Sequence, residues 1–211
     1  MIYGLTRVVV IPGKMAEFGE ILSKEVLSFN PQVGLKMVGS WHGYTGNMNE
    51  IYHLFIYDNL AEQQKAREAG RQNKDYQKGV AKLNALRVSQ TNTLLEPNPW
   101  LPMGNWKPSG KSMIYQFGQI VLVPGKMAEW AEISKDDVVY YAKIGMKWFG
   151  SWHGYTGNMN EIYNLFAYND LAELQKMRAA ALQNPLSAKH YPLMVSRELT
   201  IIEPNPWSPM K

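Results

Sequence analysis

The sequence predicts an α+β fold: two tandem ferredoxin-like βαββαβ units whose sheets close on each other as one intrachain α/β barrel. Three observations predict it. The first is repetition. Pro12-Gly13-Lys14-Met15-Ala16-Glu17 returns as Pro124 to Glu129, Gly39 to Tyr52 returns unchanged as Gly150 to Tyr163, and Glu96-Pro97-Asn98-Pro99-Trp100 returns as Glu203 to Trp207. The second is the order of hydrophobic periods within each copy, and the third is a set of strands that are apolar on both faces. The expected divisions are a first unit over 1–103, a linker over 104–112 and a second unit over 113–211.

Each unit opens on a strand. Thr6 to Ile11 and Gly118 to Val123 are apolar, β-branched runs that stop at Pro-Gly. Met15, Phe18, Leu22 and Val26 follow at helical spacing, as do Met127, Trp130 and Ile133. Leu35 to Tyr44 and Glu50 to Tyr57 flank the turn-rich Thr45-Gly46-Asn47-Met48-Asn49 and predict a hairpin. Asn59-Leu60-Ala61-Glu62 and Asp170-Leu171-Ala172-Glu173 have the form of capping boxes. In each, a short polar side chain accepts from amides that the helix start leaves unpaired. The first copy continues helically through Tyr76, Val80 and Leu83, then returns as a strand from Ser89 to Leu95. The repeat offset falls from 111 to 107 across this region, and the second copy carries Pro185 and Pro192 there. Its last helix is therefore shorter or broken.

Ile51-Tyr52-His53-Leu54-Phe55-Ile56-Tyr57 has no polar face. An antiparallel sheet with one wet face alternates, so both faces of this one are covered: one by helices, the other by the twin sheet. Parity places Val8 and Val10 under the helices and Arg7 and Val9 inside.

The 211 residues are 45% hydrophobic and 19% charged, enough apolar content for a packed core. The 22 Lys+Arg against 18 Asp+Glu leave a scattered net +4, so nucleic acid is not an expected partner. Cysteine is absent, which excludes disulfides and thiolate chemistry and agrees with a cytoplasmic setting. No apolar run reaches the roughly 20 residues that cross a bilayer. The sequence contains no Gly-x-Ser-x-Gly, dinucleotide fingerprint, P-loop or His-Glu-x-x-His motif, and no metal site is expected.

Several of these stretches together resemble a NIPSNAP domain. They are Pro12-Gly13-Lys14 with Glu17-Phe18, Gly39 and Trp41, the run Asn49 to Asp58, Leu60-Ala61-Glu62, and Gln90 with Asn92. The chain resembles two such domains in tandem. The resemblance implies the dimeric α/β-barrel superfamily, whose members include haem-dependent peroxidases and chlorite-converting enzymes, cofactor-free monooxygenases, polyketide cyclases and degradation proteins. It implies a barrel with a pocket, leaves enzyme or binder open, and allows haem without a specific motif for it. For the family itself it implies several roles, including membrane-associated adaptor roles in animal cells. The second copy departs from the pattern, with Asn164 in place of His53 and Leu199 in place of Asn92.

Three sets of residues are candidates for chemistry. His42 and His153, each in Trp-His-Gly-Tyr with Tyr44 or Tyr155 close behind, are either proton handlers at a barrel mouth or groups that satisfy an irregular turn. Arg7, His53, Gln90 and Asn92 form the second set, with Gln119, Asn164 and Arg197 as their counterparts. The first and last strands of a unit are neighbours, so Arg7 is expected beside Gln90. In the second copy Gln119 and Arg197 carry the same pair exchanged. Such a pair is either a satisfied polar bridge or an anion- or carbonyl-polarising arginine in the interior. Trp41 and Trp152, with Trp148, Phe149 and Tyr44, are either core or the walls of a pocket for a planar apolar ligand. The Glu-Pro-Asn-Pro-Trp tails, with Trp100, Trp106 and Trp207, read as arms strapping the twin unit or a partner chain. Two functions follow as expectations. One is a small-molecule binder or enzyme that uses the barrel interior for a small apolar or aromatic molecule. The other is a non-catalytic assembly protein forming a homo-oligomer.

Overall fold

The structure, a computed structural model, describes residues 1–101 and 113–210. The expected linker over 104–112 and Trp106 lie outside the described residues. The first repeat runs β1 (Ile2–Val10), α1 (Met15–Ile21), β2 (Lys36–Gly43), β3 (Glu50–Tyr57), α2 (Leu60–Gln72), α3 (Lys74–Asn84) and β4 (Arg87–Pro97). The second runs β5 (Ile114–Leu122), α4 (Met127–Lys143), β6 (Lys147–Gly154), β7 (Glu161–Tyr168), α5 (Leu171–Ala181), α6 (Ser187–His190) and β8 (Met194–Pro204). Gly13 and Gly125 sit in the turns that follow the first strands of the two repeats, at φ 80° and 82°, a backbone state that other residues reach only with strain. α1 runs on through a wide turn at Leu22–Val26, where its counterpart α4 stays regular for 17 residues.

The capping residues act as expected. The side chains of Asn59 and Asp170 accept from the backbone N–H of Glu62 and Glu173. The helix expected through Tyr76, Val80 and Leu83 is a separate element. Asn73 breaks the chain and caps α3 by accepting from the N–H groups of Asp75 and Tyr76. In the second repeat the shortening leaves α6 with four residues, between Pro185 and Pro192.

The eight strands close in the order β1-β3-β2-β8-β5-β7-β6-β4, every pairing antiparallel. Each repeat contributes four strands, and two short seams join them. Trp41, His42 and Gly43 face Pro204, Glu203 and Ile202, while Leu95, Glu96 and Pro97 face Gly154, His153 and Trp152. Parity holds. Val8 and Val10 pack against Phe18, Leu22 and Leu83 under the first repeat's helices, and Arg7 points inside with Tyr3 and Leu5.

The interior is built by two-fold exchange of aromatic rings. Tyr3 meets Trp152 edge-on at 5.6 Å, and its counterpart Tyr115 meets Trp41 at 5.5 Å. Each indole also lies against a glycine. A Cβ at Gly39 or Gly150 would stand 2.2 or 2.3 Å from the Trp41 or Trp152 ring, so no larger residue fits there. Among the described residues no helix is long and apolar enough to cross a membrane.

Candidate functional site

The expected residues separate into four places. Trp41 and Trp152 are core, 2% and 1% exposed, and with Phe149, Phe117 and Leu54 they fill the barrel centre where a ligand was expected. Trp148 faces outward instead, stacked on Phe166.

His42 and His153 stand at the seams and are held by the tails. Asn98 donates through Nδ2 to Ser151 Oγ at 2.8 Å, while its Oδ1 pairs with His153 Nδ1 at 2.8 Å. Asn205 repeats the geometry on Ser40 and His42, at 2.8 and 3.0 Å. The tails then deliver Trp100 and Trp207 into the helix-covered core of the opposite repeat, with Trp207 lying directly on Gly19 of α1. The expected straps therefore act within the chain. The arrangement favours the structural reading of both histidines. Tyr44 and Tyr155 lie beyond the seam, 45% and 42% exposed, and tie it through their backbone N–H groups, which donate to Ile201 and Leu94.

Asn98 is 1% exposed, so its loss strands the buried Ser151 hydroxyl and frees the half-buried His153 ring. Asn98→Ala is expected to lower the unfolding free energy by about 2 kcal/mol, read as a shift in the urea midpoint at constant slope.

The third place is the polar mouth of the barrel. Arg7 donates through Nε to Glu50 at 2.8 Å and through Nη1 to Gln119 at 3.0 Å, and its guanidinium lies 5.4 Å from the centre of the Tyr52 ring. Tyr52 and Tyr163 donate to Glu50 and Glu161, and burial first, then those carboxylates, raise both hydroxyl pKa values. The expected Arg7–Gln90 pair is corrected here. Arg7 stands opposite Thr91 in the register, and Gln90 stands opposite Val8, so Gln90 points to the other face. Arg7 pairs with Gln119, its own counterpart. Arg197 likewise stands opposite Ile120 and faces outward. The exchanged Arg and Gln thus belong to two different sites.

The fourth place is outside the barrel wall, beneath the helices, and here the structure has cavities. The first repeat holds one of about 490 Å³, walled by Phe18, Leu22, Phe55, Tyr57, Val80 and Leu83. It gathers His53, Gln90 and Asn92, which the sequence singled out, together with Thr6 and Arg87, which it did not. His53, whose face the sequence left open, lies with Thr6 on the outer face of the barrel wall. Thr6 Oγ1 donates to Asn92 Oδ1 at 2.8 Å, and Gln90 Nε2 donates to the same oxygen at 3.2 Å. Burial, and then the Arg87 charge, push the His53 pKa down to about 4. His53 Nδ1 and Arg87 Nε are buried with no hydrogen-bond partner among the described residues.

The second repeat has the matching cavity, of about 170 Å³. Asn164 and Arg197 line it, but Gly118 and Leu199 replace Thr6 and Asn92, with Leu199 Cδ2 lying 3.1 Å from where a Gly118 Cβ would sit. It also holds His190, Asp137, Ser134 and Trp130, which sequence reasoning passed over. Among the described residues no three His, Cys, Asp or Glu side chains are grouped to hold a metal ion.

Comparison with known proteins agrees with this architecture. The NIPSNAP family model matches residues 3–102 and again 115–209. The human protein NipSnap homolog 3A is 26% identical over 208 residues, spanning 95% of this chain and 82% of that protein. NipSnap homolog 1 of Danio rerio is 27% identical over 213 residues, spanning 96% and 74%. Among solved structures, a monooxygenase candidate from Fusobacterium nucleatum superposes with a TM-score of 0.72 at 13% identity, covering 96% of this chain and 91% of that one. An anthrone oxidase-like protein superposes at 0.62 with 10% identity, covering 97% and 91%. At such identities these two speak for the fold alone. With both repeats matched across nearly the whole chain, the protein belongs to the NIPSNAP family.

Proposed function

We propose that this chain binds a small, mainly apolar molecule with one polar head group in the cavity between the sheet and helices of the first repeat. The observation that carries the reading is the pairing of an apolar wall with two buried, unpartnered polar atoms, His53 Nδ1 and Arg87 Nε, in one cavity of about 490 Å³. That size falls within the range of roughly 300–1,000 Å³ usual for small-molecule sites. Buried polar atoms without partners are costly in a finished core and useful where a ligand completes them. Arg87 supplies a donor and a positive charge, so the head group is a carboxylate or a carbonyl oxygen. Gln90 and Asn92 stand at the open rim. The assembly reading has less support, because the Trp arms that suggested it are spent inside the molecule.

The double variant Thr6→Gly, Asn92→Leu tests the site. It installs the residues that the second repeat already carries at these positions, Gly118 and Leu199, and so respects the fold. Thermal shift and calorimetric titration with benzoate and 2-naphthoate are expected to show saturable binding to the wild type. The double variant should bind about tenfold more weakly, a difference of about 1.4 kcal/mol. No saturable binding to the wild type, or equal binding to both proteins, overturns the reading.

A further inference from the structure

The second cavity carries chemistry that the first lacks. His190 sits on α6 and Asp137 on α4, 53 residues apart, and His190 Nε2 meets Asp137 Oδ2 at 2.5 Å. The other carboxylate oxygen accepts from Asn184 Nδ2 at 2.7 Å. His190 and Asp137 are 8% and 4% exposed, and the His190 ring packs on Trp130 with centroids 4.1 Å apart. A carboxylate oxygen accepts, so in the neutral ring the hydrogen resides on Nε2 and the lone pair on Nδ1. That Nδ1 is buried and has no hydrogen-bond partner among the described residues. Asn164, 6% exposed, leaves its Oδ1 unpartnered in the same cavity. The first repeat joins the corresponding helices through Lys82 and Glu25, an ion pair on the surface, so repetition does not account for the dyad.

The remaining walls define the shape of a ligand. Trp148 and Phe166 are stacked, and Tyr141 meets both edge-on at 5.6 and 6.2 Å. Flat aromatic walls select a planar ring. The volume of about 170 Å³ admits one ring; a cavity of about 150 Å³ is known to take benzene. Arg178 and Arg197 line the same space, and both are solvent-exposed, so positive charge stands at its mouth.

We propose that this cavity is a binding site for a single planar ring bearing an acidic hydroxyl, a phenol or a ring enol, with His190 Nδ1 as the acceptor of the hydroxyl proton. The O–H bond breaks, the proton passes to Nδ1, and the electron pair stays on oxygen. The resulting imidazolium lies between the Asp137 carboxylate and the phenolate, and Arg178 and Arg197 favour the anion. Asn164 Oδ1 is placed to accept from a second donor on the ring. The dyad and the first-repeat cavity are separate, so this site stands or falls independently of the function proposed above.

The probe is 4-nitrophenol, whose phenolate absorbs visible light and whose neutral form does not. At a pH where the free probe is mostly neutral, wild-type protein is expected to produce a saturable phenolate band. His190→Gln keeps an N–H for Asp137 but has no basic nitrogen, and is expected to weaken that signal about tenfold or more. The Thr6→Gly, Asn92→Leu variant should retain it, and 4-nitroanisole, with no proton to give, should bind more weakly than the phenol. On the wild type alone, ring ¹⁵N spectra should show His190 with hydrogen on Nε2 and a bare Nδ1. Any one of four results overturns the proposal: no saturable band, an unchanged band in His190→Gln, loss of the band in Thr6→Gly, Asn92→Leu, or hydrogen on Nδ1.

Discussion

Trp152→Ala is expected to lower the free energy of unfolding by about 3–5 kcal/mol, and Trp41→Ala by a matching amount. Trp152 is 1% exposed, covers Gly150, touches Tyr3 edge-on and stands opposite Pro97 at the seam. Truncation removes an indole from a space that cannot collapse. The wall is a closed ring of hydrogen-bonded strands, and no edge is free to move inward. The transfer loss and the cavity term therefore add. Urea or guanidinium titration reads the effect as a lower midpoint at constant slope. A loss below about 1 kcal/mol at either position would mean that the barrel interior relaxes around the gap. Unequal losses would show that the two-fold exchange of rings is geometric and not energetic.

His53→Asn is expected to flatten the acid side of the stability profile. In the folded chain burial, and then Arg87, hold the His53 pKa at about 4, against 6.5 for an unperturbed imidazole. Above pH 6.5 the side chain is neutral in both states, and the folded protein keeps its full stability with respect to this group. As the pH falls below 6.5 the unfolded chain takes up the proton first, so stability drops until the folded pKa near 4 is passed. The drop amounts to about 3 kcal/mol. Asparagine does not titrate, and the second repeat already carries Asn164 at this position. His42, His153 and His190 remain in both proteins, so the difference between their profiles isolates His53. Urea midpoints at pH 7, 5.5 and 4.5 measure it. A variant whose midpoint falls as steeply as the wild type would place His53 in contact with water.

The barrel was legible in the sequence because the chain displays the same periods twice and several of its strands have no polar face. The straps were legible from Pro-Asn-Pro-Trp, since proline fixes an extended arm and tryptophan needs burial. Their docking points, Ser40 and Ser151, carry no signal of their own in the strands that hold them. Register was the obstacle for the polar residues. One position decides whether a strand residue faces the barrel or the helices, and Gln90 fell on the opposite side from Arg7 while Thr91 took its place. The ligand space moved outward for a similar reason. The tryptophans that suggested a pocket fill the centre, and the helices stand off the sheet far enough to leave room. His190 and Asp137 escaped notice because comparing the repeats favours what is shared, and this dyad exists in only one of them.

The two short seams also govern how the chain is made. β2 pairs with β8, so the edge of β2 at Trp41 to Gly43 has no strand to bond until Ile202 to Pro204 have left the ribosome. Throughout synthesis of the second repeat, the first presents a bare strand edge and an uncovered aromatic face, both open to pairing with a neighbouring chain. Closing so distant a contact is slow. Until the last strand arrives, a chaperone that shields the nascent first sheet is expected to raise the soluble fraction.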